Sequence, residues 1–317
     1  MLNVLDSTKN IVQNLKEVSI NKTAIEKLVT TITSDQLTIS EIDLAKNTWT
    51  KEQLIELVFL FNTVNFCFWS NKNEKKWTIQ DDNLDGAVAL FRSLENALKQ
   101  NPDLLQSDEL NGLSLGDLRT ILVGNVTIPL LSERHRNINN YGKTLESKFS
   151  GSVFKLLEEA NYDALKLCEL LVDNFDCFQD ASTINDITVA FYKRAQLNSK
   201  MIHDVLIHFG EKGLTNLDKL TAFADYKIPQ LLRKIGILTY SNSLANKIDN
   251  YELVPVNSIE EVEIRAATIW SAEYLKETLL QKFDFVTSAH IDGLLWLRSQ
   301  DKSANEKPYH RTLTTAY

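Results

Sequence analysis

The chain has 317 residues, of which 44% are hydrophobic and 24% are charged, and these values are ordinary for a globular protein. Its net charge of −8 at pH 7 argues against a protein that grips a long nucleic-acid backbone, because such proteins usually carry a basic face. A small anionic ligand needs only a few local cations and stays compatible with this charge. The 10 glycines and 5 prolines are few for the length, so long helices can run with few interruptions.

The cysteines and histidines predict neither a disulfide framework nor a metal site. Cys67, Cys168 and Cys177 are odd in number and unsuitably spaced, so we expect reduced thiols. The histidines form no metal-binding motif, and no metal or cofactor is predicted. The first residues do not resemble a signal peptide, and no apolar stretch approaches the ~18 residues that span a bilayer. We therefore predict a soluble, cytoplasmic protein with no membrane partner.

Helical periodicity dominates from the first third of the chain onwards. Thr50 begins a capping box, and the apolar helix that follows is predicted to run to Trp69. A short strand is predicted at 77–79, before a turn at 81–83, and a helix from about Asp85. The same periodicity predicts further helices at 114–123, from Leu130, from Gly151 to Leu171, from Asn185 to Phe209, from Ser258 to Leu279 and at 287–299.

Residues 215–240 give the most specific local pattern. Leu217 to Phe223 is predicted to form a short helix, Pro229 suits a first helical position, and Gly236 suits the position after a helix end. Asp225 then falls in a tight connection that is reminiscent of a helix–hairpin–helix. The predicted fold class is mainly α, with a single helical domain over 20–317, an N-terminal segment over 1–19, and at most a short β element near 76–84.

Asp225 is the first candidate for chemistry. An Asp between two helices is most often a cap that accepts hydrogen bonds from the backbone of the second helix. The same geometry also lets a carboxylate, flanked by the aromatic Phe223 and Tyr226, face a pocket for a planar base.

Two other groups of residues have both a structural and a functional interpretation. Lys193 and Arg194 are adjacent cations, which usually lie on a solvated face, but a buried pair would need a carboxylate or a phosphate. Asp292 and Trp296 lie one helical turn apart, and Gly293 leaves room beside the acid. They could hold the edge of a base, or be a surface Asp above a core Trp.

The helical pair Glu261 and Arg265 is expected to be a surface ion pair of a few tenths of a kcal/mol. Asn65 is a polar amide among aromatic residues, and satisfying backbone groups is as good an explanation for it as a functional role.

A set of short motifs, taken in order, resembles the queuosine-salvage family over about residues 20–317. The motifs are Asn65-Phe66-Cys67-Phe68-Trp69, Ile128-Pro129-Leu130-Leu131 with Glu133-Arg134, Phe149-Ser150-Gly151-Ser152, Lys193-Arg194-Ala195-Gln196, Phe223-Ala224-Asp225-Tyr226, Glu263-Ile264-Arg265 and Asp292 to Trp296. The resemblance implies a fold similar to helix–hairpin–helix DNA glycosylases. It also implies hydrolysis of queuosine 5′-phosphate to queuine, for reinsertion into tRNA by a separate enzyme, and ribose 5-phosphate.

The resemblance also implies residue roles. Phe223 and Asp225 match positions that contact the base and the reacting sugar, and Asp292 matches a position that binds queuine. Gly293 stands where relatives often carry an aromatic residue, and Leu297 where some carry an acid. A base-contacting His of relatives has no match in the segment 39–49. These departures concern base recognition more than the reaction.

The resulting hypothesis gives Asp225 the catalytic role, as the carboxylate that stabilises or attacks an oxocarbenium-like sugar. Base contacts are expected from Phe223, Asp292, Gly293, Tyr226, Trp69 and Trp296. The 5′-phosphate is expected at Lys193 and Arg194, with Lys227 in reserve. The alternatives are a glycosylase for another modified nucleotide and a non-catalytic queuine-binding protein.

Overall fold

A computed structural model of the chain describes residues 1–37, 48–79, 84–184, 186–301 and 306–317. Its elements are mostly helical, which confirms the mainly α fold class. The helices are α1 (Val4–Gln13), α2 (Lys22–Val29), α3 (Lys51–Val64), α4 (Gly86–Gln100), α5 (Ser107–Gly112), α6 (Leu115–Ile121), α7 (Leu131–Phe149), α8 (Val153–Glu159), α9 (Ala164–Asn174), α10 (Lys193–His208), α11 (Lys227–Lys234), α12 (Asn242–Asp249), α13 (Ile259–Leu279) and α14 (Ser288–Arg298). Within these ranges no helix combines the length and apolar character that crossing a membrane requires.

The β structure consists of short antiparallel pairs. The strands are β1 (Val18–Ile20), β2 (Thr78–Ile79), β3 (Leu84–Asp85), β4 (Ala181–Ile184), β5 (Ile187–Ala190) and β6 (Leu238–Tyr240). β2 pairs with β3 where a short β element was predicted, although the turn at 81–83 lies outside the described residues. β1 pairs with β6, and β4 with β5, so the restriction of β structure to 76–84 was wrong.

The chain divides into two compact units that are each built from separate stretches of sequence. The first comprises Met1–Ala45, Asp180–Gln196 and Asn216–Leu313. The second comprises Lys46–Gln179, Leu197–Thr215 and Thr314–Tyr317.

Helix α13 is the centre of the first unit. Two-thirds of its side chains, distributed around the whole helix, are buried, as expected for a helix enclosed by others. Its Trp270 donates a hydrogen bond from Nε1 to Thr8 Oγ1 of α1 at 3.0 Å. Its buried Glu263 accepts the backbone N–H groups of Lys16, Glu17 and Val18 at 2.7–3.1 Å. These bonds compensate the buried charge and fix the chain where it enters β1.

Arg134 of α7 organises the second unit. Its buried guanidinium donates to the carbonyls of Val64, Phe66 and Cys67 and lies 4.3 Å from the centre of the Phe66 ring. These bonds satisfy acceptors that the end of α3 leaves without helical partners. The helix was predicted to run to Trp69, and this end was wrong. The helix ends at Val64, and Cys67 adopts a φ of 46°.

Two other predicted helices have different bounds in the structure. Asn161 and Tyr162, at φ of 53° and 54°, separate α8 from α9 where one helix was predicted. The helix predicted from Asn185 begins only at Lys193, because β-branched residues 187–189 form strand β5 instead.

Candidate active site

The segment Phe223–Tyr226 is buried and leads directly into α11. The helix predicted over 217–223 was wrong: only a single 3-10 turn, Leu217–Lys219, forms there. Helix α11 begins at Lys227, so Pro229 is its third residue and not its first. A proline is still tolerated there, because N–H groups of the first turn have no helical acceptor.

The predicted end of this helix is confirmed at Gly236. Its φ is 77°, and the N–H of Ile237 bonds to the carbonyl of Leu232 at 2.9 Å. Helix α11 is therefore a short element that is fixed at both ends.

The Asp225 side chain caps α11 with one of its two oxygens. Oδ1 accepts the N–H groups of Lys227 at 2.8 Å and Ile228 at 3.0 Å, as the structural interpretation predicted. Oδ2 has no hydrogen-bond partner among the described residues, and the residue is 8% exposed. The carboxyl group lies at the N-terminal, positive end of the α11 dipole. One side chain thus has an oxygen engaged in structure and an oxygen left for a ligand.

Asp292 of α14 holds the residue two positions before Asp225. Its Oδ1 accepts the backbone N–H of Phe223 at 2.6 Å. Asp292 is 3% exposed, whereas Trp296 is half-buried, so the alternative of a surface Asp above a core Trp was wrong. A charged acceptor at this distance is among the stronger hydrogen bonds in proteins.

Arg265 of α13 binds the backbone of Ala224, the residue between Phe223 and Asp225. Its Nε donates to the carbonyl of Ala224 at 3.2 Å, and its Nη1 and Nη2 bind both oxygens of Asp180 at 2.8 and 2.6 Å. Glu261 lies 3.7 Å away, so the predicted pair exists. Its expected surface location was wrong, because Glu261 and Arg265 are each 1% exposed.

The two candidate phosphate ligands lie at the start of α10 and are buried. Lys193 is the first helical residue and Arg194 the second, and each already takes part in a polar or ring contact. Asp180 Oδ2 accepts the N–H of Lys193 at 3.0 Å. The Gln196 side chain binds the backbone of Thr221, with its Oε1 accepting the Thr221 N–H at 2.8 Å. The start of α10 is thereby attached to the chain that precedes Phe223.

The C-terminal residues of the first unit cover the start of α11. The ring of Tyr309 lies 4.9 Å from that of Tyr226, and the Lys227 ammonium lies 5.7 Å from the Tyr309 ring. His310 is buried beside Arg265, and burial with this neighbouring charge lowers the pKa of His310 to about 3. His310 is therefore a neutral imidazole at ordinary pH.

The remaining predicted base contacts are distributed between the units. Gly293 is buried next to Asp292, and Trp296 packs against the hydrophobic core of the first unit. Trp69 belongs to the second unit, where it is buried at the end of the segment that Arg134 organises. Most of the segment 39–49, which contains no histidine, lies outside the described residues.

Asp180, Tyr309 and His310 were not predicted as parts of this site. Asp180 directly precedes β4, and an Asp at such a position is as compatible with a surface turn as with a buried site. Tyr309 and His310 lie in a largely polar stretch of sequence, yet residues 310–312 are buried. The signal available in the sequence was the run Tyr309-His310-Arg311, which places an aromatic ring, an imidazole and a guanidinium side by side.

Comparison with known sequences identifies the family of this chain. The sequence model described as "Queuosine salvage protein" matches residues 45–317. A protein of Sphaerobacter thermophilus, named queuosine 5′-phosphate N-glycosylase/hydrolase, is 34% identical over 100% of this chain and 98% of its own length. Proteins of the same name from Bos taurus and Mus musculus are 30% and 31% identical, over 100% and 84% of this chain and 99% and 82% of their own lengths. By this measure the chain belongs to the queuosine salvage protein family.

Proposed function

We propose that this chain hydrolyses the N-glycosidic bond of queuosine 5′-phosphate and releases queuine and ribose 5-phosphate. The observation that carries the proposal is Asp225, a carboxylate with one oxygen bound to the start of α11 and the other without a partner among the described residues. Relatives that align over the whole chain carry the name of this activity.

The proposed reaction breaks the bond between the base nitrogen and C1′ of the ribose. Positive charge develops on the sugar, and Asp225 Oδ2 stabilises it or forms a transient bond to C1′. The oxygen of a water molecule then bonds to C1′, and any bond between Asp225 and C1′ breaks so that the carboxylate is restored. One proton of that water ends on the departing base nitrogen, and the other stays on the oxygen as the C1′ hydroxyl of ribose 5-phosphate.

The base is a 7-deazaguanine, so it has a carbon where purines have the basic N7. Protonation of that ring position cannot assist its departure, and hydrogen bonds to other polar edges must carry the departing charge. Phe223 supplies a ring beside Asp225, and Asp292 fixes its backbone at 2.6 Å. In this proposal Phe223 contacts the face of the base. Asp292 also contacts the edge of the base in this proposal, in addition to its bond to the Phe223 backbone.

The 5′-phosphate is assigned to the start of α10, where Lys193 and Arg194 are adjacent to a helix N-terminus. Helix N-termini favour anions, and two cations add to this preference. Lys227 is the reserve candidate. Its ammonium contacts Gln230 Oε1 at 3.2 Å, at the start of α11 beside Asp225.

The direct test is to incubate the purified chain with queuosine 5′-phosphate, queuosine and a panel of nucleoside monophosphates, and to measure release of base and of ribose 5-phosphate. We expect queuine release that requires the phosphate and is lost in Asp225→Asn. Release of a different base from the panel would contradict the substrate assignment. The departures from the family pattern at Gly293 and Leu297 would then explain the changed base. Tight queuine binding without turnover of any nucleotide would reject the enzymatic function.

The phosphate assignment has its own test. Lys193→Ala should weaken the use of queuosine 5′-phosphate more than that of queuosine, because only the first carries the anion. Equal loss with both substrates would contradict this assignment and leave the reaction itself intact. The prediction of a cytoplasmic location is tested by fractionating cells that express the chain.

A further inference from the structure

A buried ion pair lies behind the reacting segment, and the proposed mechanism does not use it. Arg265 and Asp180 are 1% and 5% exposed, and they form two parallel hydrogen bonds of 2.8 and 2.6 Å. The guanidinium also stacks on the Phe191 ring, with 3.9 Å from its carbon to the ring centre. Burying two charges is costly unless their geometry and remaining hydrogen bonds are good. This pair meets that condition through bonds to backbone groups.

Those backbone groups belong to the two stretches that the proposed function uses. The third donor of Arg265, Nε, binds the carbonyl of Ala224. The Asp180 carboxylate also accepts the N–H of Lys193, and its own carbonyl accepts the N–H groups of Phe191 and Tyr192. The pair therefore joins the peptide before Asp225 to the chain that begins α10.

We propose that Arg265 is a positioning residue for Asp225, with Asp180 as the anchor that orients its guanidinium. The Ala224 carbonyl belongs to the same peptide plane as the Asp225 nitrogen, so a bond to that carbonyl fixes the backbone from which the carboxylate projects. Phe223 is held separately, by Asp292. This inference rests on the proposed function of Asp225, and it adds a residue that contacts neither the sugar nor the base.

The geometry requires arginine. Three nitrogens of one planar group bind one carboxylate and one carbonyl at the same time. A lysine ammonium on a shorter reach keeps the charge but cannot reproduce this fork. Arg265→Lys therefore isolates positioning from charge.

The test compares wild type with Arg265→Lys and Asp180→Asn on queuosine 5′-phosphate. Because a shift of about an ångström in a reacting group can cost about 100-fold, we expect kcat to fall about 10- to 100-fold in both variants. The Kd for queuine should stay within about threefold, because the contacts of Phe223 and Asp292 are separately fixed. A crystal structure of Arg265→Lys should show the Ala224–Asp225 peptide displaced, and this readout needs no substrate.

The matched control is Arg233→Lys, since Arg233 forms a similar two-bond pair with Asp249, at 2.7 and 2.9 Å, on the far end of α11. We expect it to lower Tm and leave kcat unchanged. A kcat of Arg265→Lys equal to wild type, or an undisplaced Ala224–Asp225 peptide, would overturn the positioning role. Parallel losses of kcat, queuine affinity and Tm would overturn it too, since they indicate a general structural role. A wild-type chain without turnover would reject the proposed function, and the displacement of the peptide would still decide the positioning role.

Discussion

The two oxygens of Asp225 allow its structural and chemical roles to be separated by two substitutions. Asparagine keeps a carbonyl oxygen that can accept the N–H groups of Lys227 and Ile228, but it removes the negative charge. Alanine removes both. The structure therefore predicts that Asp225→Asn loses activity without losing much stability, whereas Asp225→Ala loses both.

The magnitudes follow from the contacts. Removing a capping side chain costs about 1 kcal/mol and up to about 2 kcal/mol, and the upper end applies because Ile228 is 1% exposed. For a unit of this size that corresponds to a Tm decrease of about 2–8 °C for Asp225→Ala. The Asn variant loses only the interaction of charge with the helix dipole, about 0.3–1 kcal/mol. Loss of a group that stabilises developing charge lowers kcat by about 100-fold or more in both variants.

The assay is queuine release from queuosine 5′-phosphate, combined with thermal unfolding of each variant. Asp163→Ala is the matched control, because Asp163 caps α9 by accepting the Lys166 N–H at 3.0 Å and lies in the other unit. It should lose stability like Asp225→Ala and keep its kcat. A folded Asp225→Asn variant that keeps more than about a tenth of wild-type kcat would refute the catalytic role. Equal Tm values for the Asn and Ala variants would refute the capping role.

Three further variants have expected outcomes. Asp292→Asn replaces a charged acceptor of the Phe223 N–H by a neutral one, and calorimetry should show about tenfold weaker queuine binding. The pKa of His310 is lowered to about 3 from 6.5, so the fold excludes its proton. Stability is then complete above pH 6.5 and decreases as the pH falls towards 3, by up to about 1.4 kcal/mol per pH unit, and His310→Gln should flatten the dependence of Tm on pH between 5 and 7. Arg134→Met leaves buried carbonyls without donors and should cost at least about 3 kcal/mol in denaturant unfolding.

Each of these outcomes has a control. For the pH dependence it is His208→Gln, because His208 is exposed on α10 and should leave the profile as in wild type. An unaltered profile for His310→Gln would show that burial of this imidazole does not limit acid stability. Wild-type queuine affinity in Asp292→Asn would contradict the importance of its charge. For Arg134→Met, an unchanged unfolding midpoint would contradict the role of its hydrogen bonds at the end of α3.

Local chemistry in the sequence predicted several helix ends correctly. The capping box at Thr50 forms as predicted, with Gln53 as its partner. Ser258, where a helix was predicted to start, caps α13, and Glu261 accepts the N–H of Asn257. Gly236 ends α11 in the left-handed conformation. These signals depend on residues within one helical turn, so a single sequence contains them.

The parts that the sequence did not predict depend on distant residues. Asp180 and Arg265 are 85 positions apart, and neither has a local pattern that shows the other. The burial of Arg265 follows from the enclosure of α13, which its own periodicity does not show because apolar and polar residues alternate around it. The break at Asn161 and Tyr162 was missed because apolar residues continue at helical spacing across it.

Each unit is built from separate stretches of sequence, and this affects when its parts can come together during synthesis. The first unit takes residues from the beginning of the chain, from its middle and from its last third. During synthesis, Asp180 leaves the ribosome long before Arg265 and Asp292, so these residues and the segment around Asp225 cannot meet until most of the chain has been translated. Such distant pairings make folding slow relative to proteins with local contacts. Nascent chains that stop before α14 should therefore carry an exposed and inactive half-site, a natural target for chaperones.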